Sequence, residues 1–83
     1  MPESTLERVI RVIAKTQHIL PETIRAESTF EELKIDSLDG INIVFALENE
    51  FDVNIPDDSA KSIRGVQDVV SGIDKLLAEK AAG

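Results

Sequence analysis

The tripeptide Asp36-Ser37-Leu38 has the residue types of a modifiable serine at the start of a helix. Asp36 is a good N-cap, which places Ser37 at the first helical position. Backbone N–H groups there lack intrahelical partners, and the helix dipole adds partial positive charge. A hydroxyl at that position is exposed, and an anionic group attached to it is stabilised. The chemistry that suits such a serine is carriage of a phosphodiester-linked arm. Asp39, three residues after the cap, is a weaker version of the capping-box acid. A plain capped helix with an ordinary serine would carry the same three residues, so what surrounds them decides the reading.

No second chemical centre competes with this one. The 83 residues hold one histidine and no cysteine. That excludes a disulfide framework and a thiolate metal site. Ser37, His18 and an aspartate do not make a hydrolase, because the nucleophile-elbow pattern is missing and the scaffold is too small. His18 instead predicts a helix C-terminal cap, where a cation is favoured. Asp52-Val53-Asn54-Ile55-Pro56-Asp57 begins like a calcium loop, but Pro56 takes the fifth position and glycine is absent from the sixth. A chain of this length reads as one domain, 1–83, and buries only a little over ~60% of its unfolded surface. It has no deep core for an enclosed catalytic site, so no catalytic residue is expected. The N-terminus has no apolar signal region, and no run reaches membrane-spanning length. A cytoplasmic protein is the expectation.

The charge pattern points to partners. The formal net charge is −7. From Asp36 to Ala60 there are seven acids and no Lys or Arg, while the rest of the chain carries nine acids and nine bases. The whole excess lies in the segment that begins at the serine. Such a field repels nucleic acid and anionic lipid, and steers basic protein surfaces toward this region.

Helices must position these residues, because strand alternation and hairpin turns are missing. Ser4 caps a first helix from Thr5 to Gln17, with Glu7 completing a capping box. Its apolar face is Leu6, Val9, Ile10 and Ile13. A long connection from His18 to Ile35 carries Ile19, Leu20, Ile24, Phe30, Leu33 and Ile35, which argues that it packs over the core. Thr29 with Glu32 can cap a single turn within it. The second helix runs from Ser37 to about Phe51. Ile43, Val44, Leu47 and Phe51 form its core face, with Gly40 in the same sector. Leu38, Ile41 and Phe45 form a separate stripe, read as a semi-exposed contact surface. Pro56 starts a short helix to Ile63. Gly65 caps a last helix, with Val66, Val69, Val70, Ile73 and Leu77 at helical spacing to about Glu79. The expected fold is all-α, a small four-helix bundle of three main helices and one short one.

Asp36-Ser37-Leu38-Asp39, Ala46-Leu47-Glu48, Glu50-Phe51, Ile55-Pro56-Asp57, Ala60 and Ile63 together resemble the acyl carrier protein family. The resemblance covers most of the chain and is densest from Asp36 to Val66. It implies that Ser37, flanked by Asp36 and Leu38, receives a 4'-phosphopantetheine arm from a dedicated phosphopantetheinyl transferase. The arm's thiol would carry acyl groups as thioesters, so the protein needs no cysteine of its own. Asp39, Ile41, Asn42, Phe45 and Glu48 would form the docking face for acyl-transfer and chain-elongation enzymes with basic patches. Gly40, Val44, Leu47, Ala60 and Ile63 would line a cavity for the acyl chain. A monomer that binds neither nucleic acid nor membrane is implied.

The chain also departs from the family pattern. Lys34-Ile35 stands where a Gly-containing pair is usual. Gly40 replaces a larger residue, Asn42 an acid and Phe45 a methionine, and Asn49 interrupts the acidic run. These changes bear on cargo space and docking. They leave open a specialised lipid or polyketide carrier, a general fatty-acid carrier, an aminoacyl or peptidyl carrier, and an unmodified interaction module of the same fold.

Overall fold

Capping side chains set the starts of the two helices that frame the molecule. In the computed structural model, which describes residues 4–82, the Ser4 hydroxyl accepts from the Glu7 N–H at 3.2 Å and opens helix α1, Thr5–Gln17. Asp36 does the same for α2, Ser37–Phe51, accepting from the Asp39 N–H at 2.8 Å. A short α3, Asp57–Ser62, and a long α4, Val66–Ala82, complete the bundle. Among the described residues there are four α-helices, one 3₁₀ turn at Pro21–Thr23, and no strand beyond a single antiparallel bridge between Thr29 and Gly65.

Helix α1 packs against both α2 and α4. Its buried stripe is therefore wider than the expected face and takes in Val12 and Ala14 beside Val9 and Ile13, while Leu6 and Ile10 are half-buried. Ile43, Leu47 and Phe51 come in from α2, and Val66, Val69 and Ile73 from α4. Ile13, Ile43, Leu47 and Ile73 are the largest side chains wholly out of water. Each contributes about 1.5–3 kcal/mol through that burial. Truncating Ile43 to alanine would cost about 2–5 kcal/mol, enough to endanger a domain this small.

His18 ends α1 in the left-handed region at φ 57°, and its N–H donates to the Ala14 carbonyl. It is a cap, as expected, but through its backbone. The long connection then packs over the core by burying Ile24 and Ile35. Thr29 caps its one turn, accepting from the Glu32 N–H at 3.0 Å. Lys34 closes that turn at φ 58°. A left-handed backbone costs an L-residue roughly 1–2 kcal/mol, and glycine avoids it.

Gly65 sits where the cap of α4 was expected, and its carbonyl accepts from the Val69 N–H at 3.3 Å. The structure adds a reason for glycine. Its neighbours pair with the loop, Phe30 N–H to Arg64 O at 2.9 Å and Val66 N–H to Ser28 O at 3.0 Å. A Cβ on Gly65 would stand 2.8 Å from the Ser28 carbonyl oxygen. Helix α4 also runs past the expected Glu79 to Ala82. Alanines favour the extension, and Lys80 in the last turn reaches back to Asp52.

Candidate functional site

Ser37 is exposed at the first position of α2. Among the described residues its hydroxyl has no hydrogen-bond partner. The Asp36 carboxylate holds the Asp39 N–H, and the Asp36 carbonyl accepts from the Gly40 N–H at 2.9 Å. The N–H groups of Ser37 and Leu38 precede the first intrahelical bond and remain available to an anion on the serine.

The serine opens onto a cleft of about 680 Å³. Val44, Ala60, Ile63, Phe30 and Ile35 supply apolar walls, and Asp36, Asp57 and Lys61 add charged lining. Gly40 lies on the same wall as Ser37, one helical turn along. Beyond its own stretch of helix, a Cβ built on it meets no atom of the described residues within 4 Å. Close packing of another backbone is therefore not what keeps this position small. The volume falls within the range of small-molecule sites. These residues fit a serine-linked arm: a free hydroxyl, unpaired N–H groups beside it and an apolar recess at its foot.

Four of the five expected cavity residues, Gly40, Val44, Ala60 and Ile63, line this cleft. Leu47 does not. It shares the angular sector of Gly40, but lies two turns, about 10 Å, farther along the axis and is wholly buried in the core. Val44, expected in the core, is half-buried because it faces the cleft. Phe30, Ile35, Asp57 and Lys61 also line it, and the sequence assigns none of them to the cavity, since they come from loop and α3 positions with no common period.

The contact stripe is exposed, and its Ile41 and Phe45 also line the cleft. Leu38 is 73% exposed, Ile41 51% and Phe45 59%. Asn42 is exposed beside them, and Asp39 is half-buried. Glu48 continues this side of α2, but its carboxylate is engaged elsewhere. It is half-buried, and its carboxylate accepts from the Ile55 N–H at 2.8 Å. The loop returning from α2 needs an acceptor at that point, and Glu48 is the acid within reach.

The acidic field is also narrower than the sequence alone implies. Glu50 pairs with Arg8 of α1 at 3.1 Å, and Arg8 lies 4.2 Å over the Phe51 ring. Asp52 pairs with Lys80 of α4 at 2.8 Å. The hydrogen bond from Lys80, with its charge, holds the Asp52 carboxyl below its ordinary value. Compensating bases thus reach the far end of α2 from elements distant in sequence. Among the described residues Asp39, Asp57 and Asp58 make no ion pair, and the surplus charge gathers at the Ser37 end.

Residues 7–73 match the family model described as a phosphopantetheine attachment site. The chain belongs to the acyl carrier protein family. An acyl carrier protein of Thermosynechococcus vestitus is 40% identical over 74 residues, covering 88% of this chain and 91% of that one. Acyl carrier protein 1, chloroplastic, of Hordeum vulgare is 40% identical over 81 residues, covering 96% of this chain and 54% of that one, so the chain spans about half the barley protein. The crystal structure of an acyl carrier protein from Thermotoga maritima superposes with a TM-score of 0.77 at 33% identity, covering 87% of this chain and 85% of that one. The all-helical architecture is that of the family, and 4'-phosphopantetheine is the family's group. No helix among the described residues is long and apolar enough to cross a membrane.

Proposed function

We propose that this chain carries acyl intermediates as thioesters on a 4'-phosphopantetheine arm at Ser37, within fatty-acid or specialised lipid or polyketide synthesis. The observation that carries the proposal is the free Ser37 hydroxyl at a helix start, opening onto an apolar cleft. When bound, the arm supplies a terminal thiol that holds cargo as a thioester. The chain's own residues attach, orient and shelter. Asp36 fixes the first turn, and the N–H groups of Ser37 and Leu38 would be available to the arm's phosphate. Val44, Ala60 and Ile63 offer the cargo an apolar surface, which shields the thioester from water.

Leu38, Ile41 and Phe45 provide the apolar centre of a docking face, and Asp39 and Asn42 a polar rim. Unpaired acids around the serine draw in basic patches on a phosphopantetheinyl transferase and on acyl-transfer and elongation enzymes. Such steering raises association rates without demanding tight binding, as a carrier that must be released requires. The chain acts as one non-catalytic domain, 1–83, a cytoplasmic monomer that binds neither nucleic acid nor membrane.

The test is loading of the phosphopantetheinylated protein with acyl and aminoacyl donors, read by intact mass. Acyl groups are expected to accumulate and aminoacyl groups not. Preferential aminoacyl loading would make it an aminoacyl carrier. A protein that a transferase leaves unmodified would be an interaction module.

A further inference from the structure

Gly40 occupies a costly position for glycine. Inside a helix glycine is less favourable than alanine, because more backbone freedom is lost on folding. The usual backbone reasons for it are missing here. Its φ is not positive, and beyond its own stretch of helix no atom of the described residues lies within 4 Å of the place a Cβ would take. What distinguishes the position is the cleft. Ser37, Gly40 and Val44 follow one another along α2 at i, i+3 and i+7, and all three line it. A side chain at position 40 would project into the passage between the attachment point and the apolar residues beyond.

We propose that Gly40 is a specificity-determining residue for cargo length. Resting on the carrier function proposed above, its missing side chain keeps the path along α2 open. A long acyl chain can then lie past it, against Val44, Ala60 and Ile63. Short acyl groups stop before that point and are indifferent to the residue. A chain with a large side chain at position 40 shelters short cargo only.

The experiment compares butyryl and hexadecanoyl thioesters on the full-length phosphopantetheinylated protein, as wild type, Gly40→Ala and Gly40→Leu. Two readouts are taken: the hydrolysis half-life at mildly alkaline pH, and the NMR methyl shifts of Val44, Ala60 and Ile63 on loading. In wild type the hexadecanoyl thioester outlives the butyryl one several-fold, and the three methyl groups shift with the long chain. In Gly40→Leu the long-chain half-life falls to the short-chain value and the methyl shifts vanish, while the butyryl half-life holds. Gly40→Ala adds one methyl group to open space and falls between the two, so it carries the test if the leucine variant does not fold. A folded variant with the wild-type half-lives and methyl shifts overturns the proposal. Chain-length independence in wild type overturns it too, by removing the sheltering cleft while leaving attachment at Ser37 intact. Failure of any transferase to modify Ser37 is separately visible as an unchanged mass, and overturns the carrier function with it.

Discussion

The carboxylate of Glu48 accepts a hydrogen bond from the backbone N–H of Ile55 at 2.8 Å, tying the last turns of α2 to the loop that leads into α3. Ile55 is itself buried, so its N–H has poor access to water. A hydrogen bond to a charged group contributes about 1.5–3 kcal/mol. Glu48→Ala is expected to lower stability by about that amount, with Glu48→Gln losing less, in urea unfolding. Faster exchange of the Ile55 amide would accompany it. Unchanged exchange in Glu48→Ala would mean that the bond does not hold the loop.

Lys34 closes the turn before the serine motif at φ 58°. Lys34→Gly removes that steric penalty, and the expected gain is about 1 kcal/mol. The measurement is the urea midpoint of the variant against wild type. A loss of stability would show that the lysine side chain contributes more than its backbone costs.

Gly65 makes the opposite case. A Cβ there would press on the Ser28 carbonyl, a backbone atom held by its own bond to the Val66 N–H. Gly65→Ala is expected to cost about 1–3 kcal/mol, and alanine is also a poorer N-cap than glycine. A neutral result in thermal unfolding would mean that the 26–30 loop shifts freely away from α4.

Asp52 gives a signed pH dependence. Its folded carboxyl lies below the ordinary value because Lys80 hydrogen-bonds and attracts the charged form. The contribution is therefore fully present above the unfolded carboxylate range, about pH 4. It is lost as pH falls through the lower folded value. Wild type and Asp52→Asn should differ in thermal midpoint near neutrality and converge in acid. The difference is small, since the pair is exposed. A gap that widened toward low pH would contradict the assignment.

The unpaired acids make stability sensitive to salt. From about 0.01 to 0.15 M the screening length shrinks from about 30 to 8 Å. The thermal midpoint should rise over that range. Asp57→Asn with Asp58→Asn should diminish the rise, while Glu50→Gln, which frees Arg8, should not. Equal salt responses in all three proteins would show that the charge is not concentrated at the serine end.

Local signals were legible and distant ones were not. Ser4 with Glu7 and Asp36 with Asp39 marked the starts of α1 and α2 because a cap and its partner lie within one turn. The stripe of Leu38, Ile41 and Phe45 could be read from helical spacing, and it is exposed as that reading required. Glu48 looked like another surface acid because its partner is a backbone N–H, which leaves no mark in a sequence. Charge counting along the chain missed Arg8 and Lys80, which reach Glu50 and Asp52 from other helices. Gly65 gave its cap away but not the Ser28 carbonyl against it. Lysine carries no turn signature, so Lys34 could be noted only as a departure from the family pattern. For the cleft, α2 periodicity located Gly40 and Val44. Angle without axial position misplaced Leu47.

Everything functional rests on the Ser37 hydroxyl. The most direct measurement is the intact mass of wild type and Ser37→Ala after incubation with a phosphopantetheinyl transferase and coenzyme A, with circular dichroism of both proteins. Wild type should gain a single phosphopantetheine and Ser37→Ala none, with the same helical spectrum. Modification that persists in Ser37→Ala, or a correctly folded wild type that no transferase modifies, would contradict the assignment.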